Sequence, residues 1–441
     1  MSPTFEEIVN KANKIRKVSY GDKVFATDIL SLKNVLLDLI ALLREEKYDE
    51  NLLNLAESEL NAIPYLRYGD ICSYLHRLHI MNAEQYLQQA IEEPIELELV
   101  ATKTLSEPHG WWEIAFSPDG KYIAACADTM YGYQNGIEIL SVPDLDLVAS
   151  IPRNREEPPF IFRPFEAEFS PDGKYLYSVA EIYNTEAGWW WQAVDKWTFP
   201  DLRHVARAGN PEEDPYWNAG YLEVSPNGQY VCIPWIDNWY PTPPYVGGAC
   251  AMLRASDLYE ISRVDNQQWS WHSCAKFYSD STHLVRIVGY PAIVELRKVP
   301  SLELVKDVWG GEYWWNSSID ITPDNKHAYV ASWDDEDRAL IQVMALPDLN
   351  EIKRADLSPF VGYYMPSVIN ISASGRYVAF SVYVPDLVEV MRMPRLIRKT
   401  RVEGTNWIGA FDVEFSMDGT YLATQGTYTI ALLREKSGRK F

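Results

Sequence analysis

Cysteine is scarce in this chain. There are five in 441 residues (Cys72, Cys126, Cys232, Cys250 and Cys274), an odd number with no CxxC pair. That argues against a disulfide-stapled scaffold, and it points to small core residues in a reducing compartment. No run approaches the roughly eighteen apolar residues of a membrane helix. The opening MSPTFEEIVNKANKIRK lacks the apolar core of a signal peptide. A soluble, cytoplasmic protein with no membrane partner is expected. Positive charge is also in short supply: 40 Lys and Arg stand against 62 Asp and Glu, a net charge of −22. Such a surface repels phosphate backbones, so nucleic acid is not an expected partner. The local exception, Arg392, Arg395, Arg398, Lys399 and Arg401, reads as a charged outer strand that discourages edge pairing. Histidines number seven, and His76 and His79, one helical turn apart, have no evident third ligand. No P-loop, GxSxG elbow or HExxH pair is present.

What is present falls into two regions. Residues 1–93 show apolar spacings of three and four, as in DILSLKNVLLDLIALLREE (28–46) and NAEQYLQQAIEE (82–93). The second opens with Asn82 and has Gln85 three residues on, a capping-box pattern. Four or five short helices are expected, ending at Pro94. From 94 to 441 the period changes to strand alternation with recurrent turns. FSPDGKY occurs at 116–122 and, letter for letter, at 169–175. Aligning it along the chain finds seven strand–turn–strand units, with the turn's first residue at 117, 170, 225, 278, 322, 372 and 416. The steps suit four-stranded propeller blades. A second recurrent turn follows the third strand in six units, as in VPDLDLV (142–148) and VPSLELV (299–305). The seventh unit has no such turn and no fourth strand. PIELELVATKTL (94–105) carries the missing letters, so residues 95–105 are expected to complete the last blade and close the ring. The fold class is therefore mainly β: a seven-bladed β-propeller closed by an N-terminal strand, behind a small α-helical domain.

These turns resemble the WD-repeat-like and YVTN-type propeller superfamily, and the propeller of TolB-type proteins, over roughly residues 95–441. The GH and WD pairs that usually mark each WD repeat do not recur from unit to unit. The motif specifies a fold rather than an activity. SPDG itself reads as structural. Pro118 and Pro171 preset φ, the Asp bonds nearby amides, Gly accepts positive φ, and Tyr122 and Tyr175 open the second strand with large buried area.

The short turns share one face of such a ring, and the long, varied loops lie on the other, where function is expected. Of 16 Trp, nearly all fall in or near these loops. The entry loops hold Trp111, Trp217, Trp269, Trp271, Trp314, Tyr364 and Trp407, several at a repeated position that Phe162 shares. The longest second-to-third-strand loops add Trp189, Trp190 and Trp191, and Trp239 and Tyr240. At the repeated position, aromatics packing between blades is the structural alternative. The non-repeated ones read better as a binding surface for a protein or peptide, or for sugar rings.

A second column lies two residues before each turn: Ala115, Glu168, Glu223, Lys276, Asp320, Asn370 and Glu414. The six polar members are expected to line a solvated axial channel, where clustered carboxylates raise one another's pKa and Lys276 or water relieves them. Calcium would fit such charge, but no ligand-spacing motif supports it, so no metal and no cofactor are expected. His109 and His272 are the only histidines in entry loops. They give a hydrolase reading of the kind the resemblance to lactonase-type propellers implies. The reading preferred here is non-enzymatic: a scaffold binding a protein or peptide on its aromatic loop face, with a lectin-like propeller as the alternative.

Overall fold

The computed structural model describes residues 26–45, 50–63, 83, 96–104, 114–126, 135–152, 160–184, 186, 189–209, 221–236, 249–265, 273–288, 293–309, 313–334, 339–356, 366–382, 387–393, 397–403, 412–426, 429–438 and 440–441. Two compact units divide the chain, Met1–Glu96 with Lys436–Lys440, and Leu97–Glu435 with Phe441. In the first, helices Ala26–Glu45 and Glu50–Asn61 are described, of the four or five expected. They bury Leu36, Leu39, Ile40, Leu53, Ala56 and Leu60 against each other, and Arg44 reaches from one to Glu57 of the other at 2.9 Å. The expected helix at 82–93 lies outside the described residues, Ala83 apart.

The second unit is a propeller of seven four-stranded antiparallel sheets, each running from an inner to an outer strand in chain order. The exception is the expected one. The last blade takes Asp412–Phe415, Leu422–Gln425 and Thr429–Glu435 from the end of the chain and Leu97–Thr104 from before the first blade. Leu97 pairs with Glu435 and Thr104 with Thr429. Inner strands touch in cyclic order, and blade 7 meets blade 1 through Asp412–Phe415 and Ile114–Phe116. A ring closed this way leaves no inner seam open to another chain.

The repeated turn works as its chemistry dictates. In blade 1 the Ser117 hydroxyl donates to Asp119 Oδ1 at 2.7 Å and accepts the Tyr122 amide at 3.0 Å, while Asp119 accepts the Lys121 amide. The same bonds recur at Ser170 and Asp172, and at Ser416 and Asp418. Burial opposes ionisation of Asp119, but the Ser117 hydroxyl and the Lys121 amide and ammonium outweigh it and hold the carboxyl below its ordinary range. Gly120 and Gly173 take φ of 68° and 67°; where the glycine is absent, Ser281 and Asn325 take 59° and 57°. Those two compensate by bonding the neighbouring blade's turn. Ser281 Oγ accepts the Asn227 amide at 3.0 Å, and Asn325 Oδ1 accepts the Ser279 amide at 2.9 Å. Tyr122 is half-buried rather than deep, set edge-on against Phe199 at 5.3 Å.

At the other repeated turn, Leu145, Leu202, Leu302 and Leu349 all take positive φ. A left-handed leucine costs about 1–2 kcal/mol. Leu145, Leu302 and Leu349 offset that cost by burying their side chains almost completely. The core is thus a series of seams. Ile137 and Ile151 of blade 1 pack with Phe162, Leu176 and Trp197 of blade 2. Tyr177 and Val194 of blade 2 pack with Val231 and Ala251 of blade 3, and so on round the ring. Of the basic run, Arg398, Lys399 and Arg401 lie on the outer strand of blade 6, as expected, but Arg392 lies on its third strand and is buried.

Candidate functional site

Each inner strand has one edge bonded to the second strand and the other turned to the axis, where half its amides have no strand partner. Such orphan amides must be satisfied by something other than a sheet ladder. The polar column supplies the acceptors, and it acts between blades. Glu168 of blade 2 accepts the Val224 amide of blade 3 at 2.7 Å. Glu223 accepts the Phe277 amide of blade 4. Asp320 accepts the Ile371 amide of blade 6 at 2.6 Å, Asn370 the Phe415 amide of blade 7 at 2.9 Å, and Glu414 the Phe116 amide of blade 1 at 2.8 Å.

A second tier lies two residues upstream and does the same. Glu166 accepts the Leu222 amide at 2.7 Å, Ser318 the Ile369 amide at 3.2 Å, and Asp412 the Ile114 amide at 2.8 Å. Cys274 Sγ accepts the Ile319 amide at 3.3 Å. In two places where a blade offers no acceptor, the next blade serves itself. Lys276 has none to give, and Asp320 Oδ1 takes its own neighbour's amide, Ile321, at 2.7 Å. Val368 has none, and Asp412 Oδ1 takes the Val413 amide at 2.7 Å. Aspartate suits both duties because its two oxygens can face two amides at once.

Ala115, Glu168, Glu223, Lys276, Ile319, Asn370 and Glu414, one from each blade, line a cavity of about 150 Å³. Lys276 Nζ meets Glu223 Oε2 at 2.6 Å. Burial would lower the ammonium's pKa, but Glu223, Asp320 and Glu168 outweigh it and push it well above its ordinary value. Burial raises the Glu168 carboxyl, with Glu223 adding to it, and raises Glu223 against the pull of Lys276. Burial likewise raises Asp320, and lifts Asp412 to about 6 against the Ile114 and Val413 amides. Burial is thus the first cause for the carboxylates, ahead of their mutual repulsion, and Lys276 pulls each of them the other way. Among the described residues, no three His, Cys, Asp or Glu are grouped to hold a metal ion.

The aromatic surface fares differently. Trp191 is 7% exposed and packs with Phe162, Ala193 and Trp197 in the seam between blades 1 and 2, so it belongs to the core and not to a binding face. Phe162, at the repeated aromatic position, is also fully buried, set edge-on to Trp197 at 5.9 Å. Trp189 and Trp190 lie on a paired strand rather than in a loop, their backbones opposite Asn184 and Tyr183. Trp314 lies on the inner strand of blade 5, Tyr313–Ile321. Trp111, Trp217, Trp239, Tyr240, Trp269, Trp271, Tyr364 and Trp407, with His109 and His272, lie outside the described residues.

Sequence reasoning missed the second tier, although its signal was present. Polar residues two apart on an inner strand (Glu166 and Glu168, Ser318 and Asp320, Asp412 and Glu414) mark one face of it. It also missed the buried Lys196, whose ammonium donates to the Ala255 carbonyl at 2.8 Å and sits 3.9 Å from the Tyr175 ring centroid.

In sequence, the family model for the WD domain, G-beta repeat, matches residues 101–130, from the closing strand into blade 1. No curated protein matches the chain in sequence. Among solved structures, the β-propeller domain of Myceliophteria thermophila Cps50 (Swd1) is similar with a TM-score of 0.58 at 14% identity, covering 77% of this chain and 99% of that one. A chain of Kuenenia stuttgartiensis hydrazine synthase is similar with a TM-score of 0.54 at 14% identity, over 76% of this chain and 97% of its own length. A chain of a mitotic checkpoint complex gives 0.56 at 10% identity, over 78% and 92%. One of these three comes from an enzyme, so the likeness carries the propeller fold and leaves the activity to the chain's own residues.

Proposed function

We propose that this protein is a non-enzymatic binding scaffold that captures a protein or peptide partner on the loop face of its propeller. The observation that carries this reading is how the axial polar residues are used. Glu166, Glu168, Asp320, Asn370, Asp412 and Glu414 all accept main-chain amides of a neighbouring blade, so the convergent polar groups hold the ring together. Recognition then rests with the long loops opposite the repeated turns, which carry Trp111, Trp217, Trp239, Tyr240, Trp269 and Trp407. Tryptophan and tyrosine bring large contact area and one polar handle each, the composition of interface hot spots. A propeller chain in the mitotic checkpoint complex shows the same fold inside a multiprotein assembly. The reading includes a reducing, cytoplasmic setting, no cofactor, and no nucleic-acid or membrane partner, in keeping with the net charge of −22.

The test is a triple variant, Trp217→Ala, Trp239→Ala and Trp269→Ala. A partner recovered with the wild type from the native host and identified by mass spectrometry is titrated against both proteins. The variant is expected to lose affinity by at least about tenfold with its melting temperature unchanged. A fall in melting temperature would instead place these rings in the core and defeat the reading. Signal on a glycan array with no protein partner would replace it with carbohydrate binding.

A further inference from the structure

Cys232 and Cys250 stand on the second and third strands of blade 3, Tyr230–Ile236 and Ala249–Arg254. Cys232 is opposite Met252, so Cys250 is its diagonal neighbour on the same sheet face. Their sulfurs are 3.6 Å apart, and neither residue is exposed. The face they share is pressed against blade 4, with Phe277, Leu284 and Leu302.

Blade 4 meets them with charge. Glu295 Oε2 accepts from Arg286 Nε at 2.5 Å and from Arg297 Nε at 2.7 Å, and Arg297 also donates to the Leu302 carbonyl at 2.6 Å. All three side chains are largely buried, and two guanidiniums share one carboxylate. The charged groups that act on the sulfurs are Arg286, Arg297 and Glu295 from blade 4, with Glu223 from the inner strand of blade 3. The cationic side chains of Arg286 and Arg297 favour a thiolate on this face. In keeping with that, the Cys232 thiol and then Arg286 hold Cys250 down to about 7, while burial pushes Cys232 well above its ordinary value.

We propose that Cys232 and Cys250 form a redox-active dithiol, a modification site in the seam of blades 3 and 4 that a small peroxide converts to a disulfide. The Cys250 thiolate attacks one oxygen of hydrogen peroxide, the O–O bond breaks, and hydroxide leaves behind a sulfenic acid. Hydroxide takes the Cys232 proton to give water. The Cys232 thiolate then attacks the Cys250 sulfur, forming the S–S bond and expelling the second hydroxide. Each sulfur is oxidised by one electron, and the peroxide is reduced by two. Burial restricts the oxidant to molecules close to water in size. The bond also stays reversible. Diagonal strand neighbours lie about 7–8 Å apart at Cα, and a relaxed disulfide spans no more than about 6.8 Å, so bridging draws the strands together and stores strain that favours reduction. Oxidation also removes the anion facing Arg286 and loosens the seam.

The experiment exposes the full-length protein to hydrogen peroxide, unfolds it in iodoacetamide, and maps its peptides by mass spectrometry. The expected result is a species lighter by two hydrogens before alkylation, in which the Cys232 and Cys250 peptides are linked and are released by dithiothreitol. In Cys232→Ser, peroxide should leave Cys250 as a sulfenic acid, which dimedone present during unfolding then traps. The proposal is overturned if both cysteines of the wild type are carbamidomethylated after peroxide that fully oxidises free dithiothreitol, or if the only linked pairs involve Cys72, Cys126 or Cys274. The wild-type map decides the question even if the variant does not fold.

Discussion

The carboxylate of Glu414 accepts the amide of Phe116 at 2.8 Å across 298 residues of chain, bonding the last inner strand to the first. With Asp412 and the Ile114 amide at 2.8 Å, it forms a two-rung side-chain clasp over the seam where the ring closes.

Removing the lower rung should cost stability in proportion to the amide it orphans. Glu414→Gln keeps an acceptor at the same reach and is expected to change stability by less than about 0.5 kcal/mol. Glu414→Leu leaves the Phe116 amide without it and is expected to cost about 1–3 kcal/mol. Urea denaturation of both variants checks the contrast. Equal losses in both would show that the contact is not an amide clasp.

Lys276 is the cation of the channel ring, held by Glu223 at 2.6 Å. Lys276→Gln should destabilise the protein by roughly 2 kcal/mol. That is less than the loss of a dry pair, because a third of the lysine side chain stays open to channel water. Adding Glu223→Gln removes the stranded carboxylate and should restore most of the loss. A double-mutant cycle measures the recovery, and strict additivity of the two losses would count against the pairing.

Asp412 gives a pH signature of defined sign. Its carboxyl titrates near 6 in the folded ring and near about 3.9 in an unfolded chain. The folded state therefore holds the proton more tightly. The stability that goes with it is complete below about pH 4 and is lost as pH rises through 6. Asp412→Asn has no such titration. The stability difference, variant minus wild type, should grow between about pH 4 and 6 by as much as about 3 kcal/mol and stay level on either side. Denaturant titrations at pH 4, 5, 6 and 7 read it directly, and a difference that is flat or falls across this window would refute the assignment.

The closing strand should be indispensable. A chain beginning at residue 95 keeps Leu97–Thr104 against Thr429–Glu435. One beginning at residue 106 exposes the edge of Thr429–Glu435, and an open edge recruits other chains. The longer form is expected to be monomeric and to unfold cooperatively. The shorter should aggregate or lose at least several degrees of melting temperature, as size-exclusion chromatography and calorimetry would show.

How much could be read in advance follows from the range of each interaction. FSPDGKY encodes its turn through bonds between residues two to five apart, Ser117 with Asp119 and Tyr122, so a local stretch of letters was enough to count blades and find the closing strand. The polar column could also be read as positions, because strand alternation marks one face. Its role could not, because the partner of each carboxylate is a main-chain amide with no signature of its own, 45 to 298 residues away. The aromatic loops misled in two places: Trp314 lies on the strand Tyr313–Ile321, and GWWWQ is largely strand as well. GWWWQ looked like a loop, but the hairpin of Tyr175–Asn184 and Trp189–Thr198 extends through it, and Trp191 packs in a seam.

By itself, then, the sequence determined the blade count, the turns and the order of closure, because turn chemistry and strand period are properties of neighbouring residues. Tertiary structure alone decided which polar groups bind main chain, that Glu295 is shared by two arginines, and that Cys232 and Cys250 meet at 3.6 Å. Those depend on how one blade's face meets the next, and only the closed ring fixes that registration.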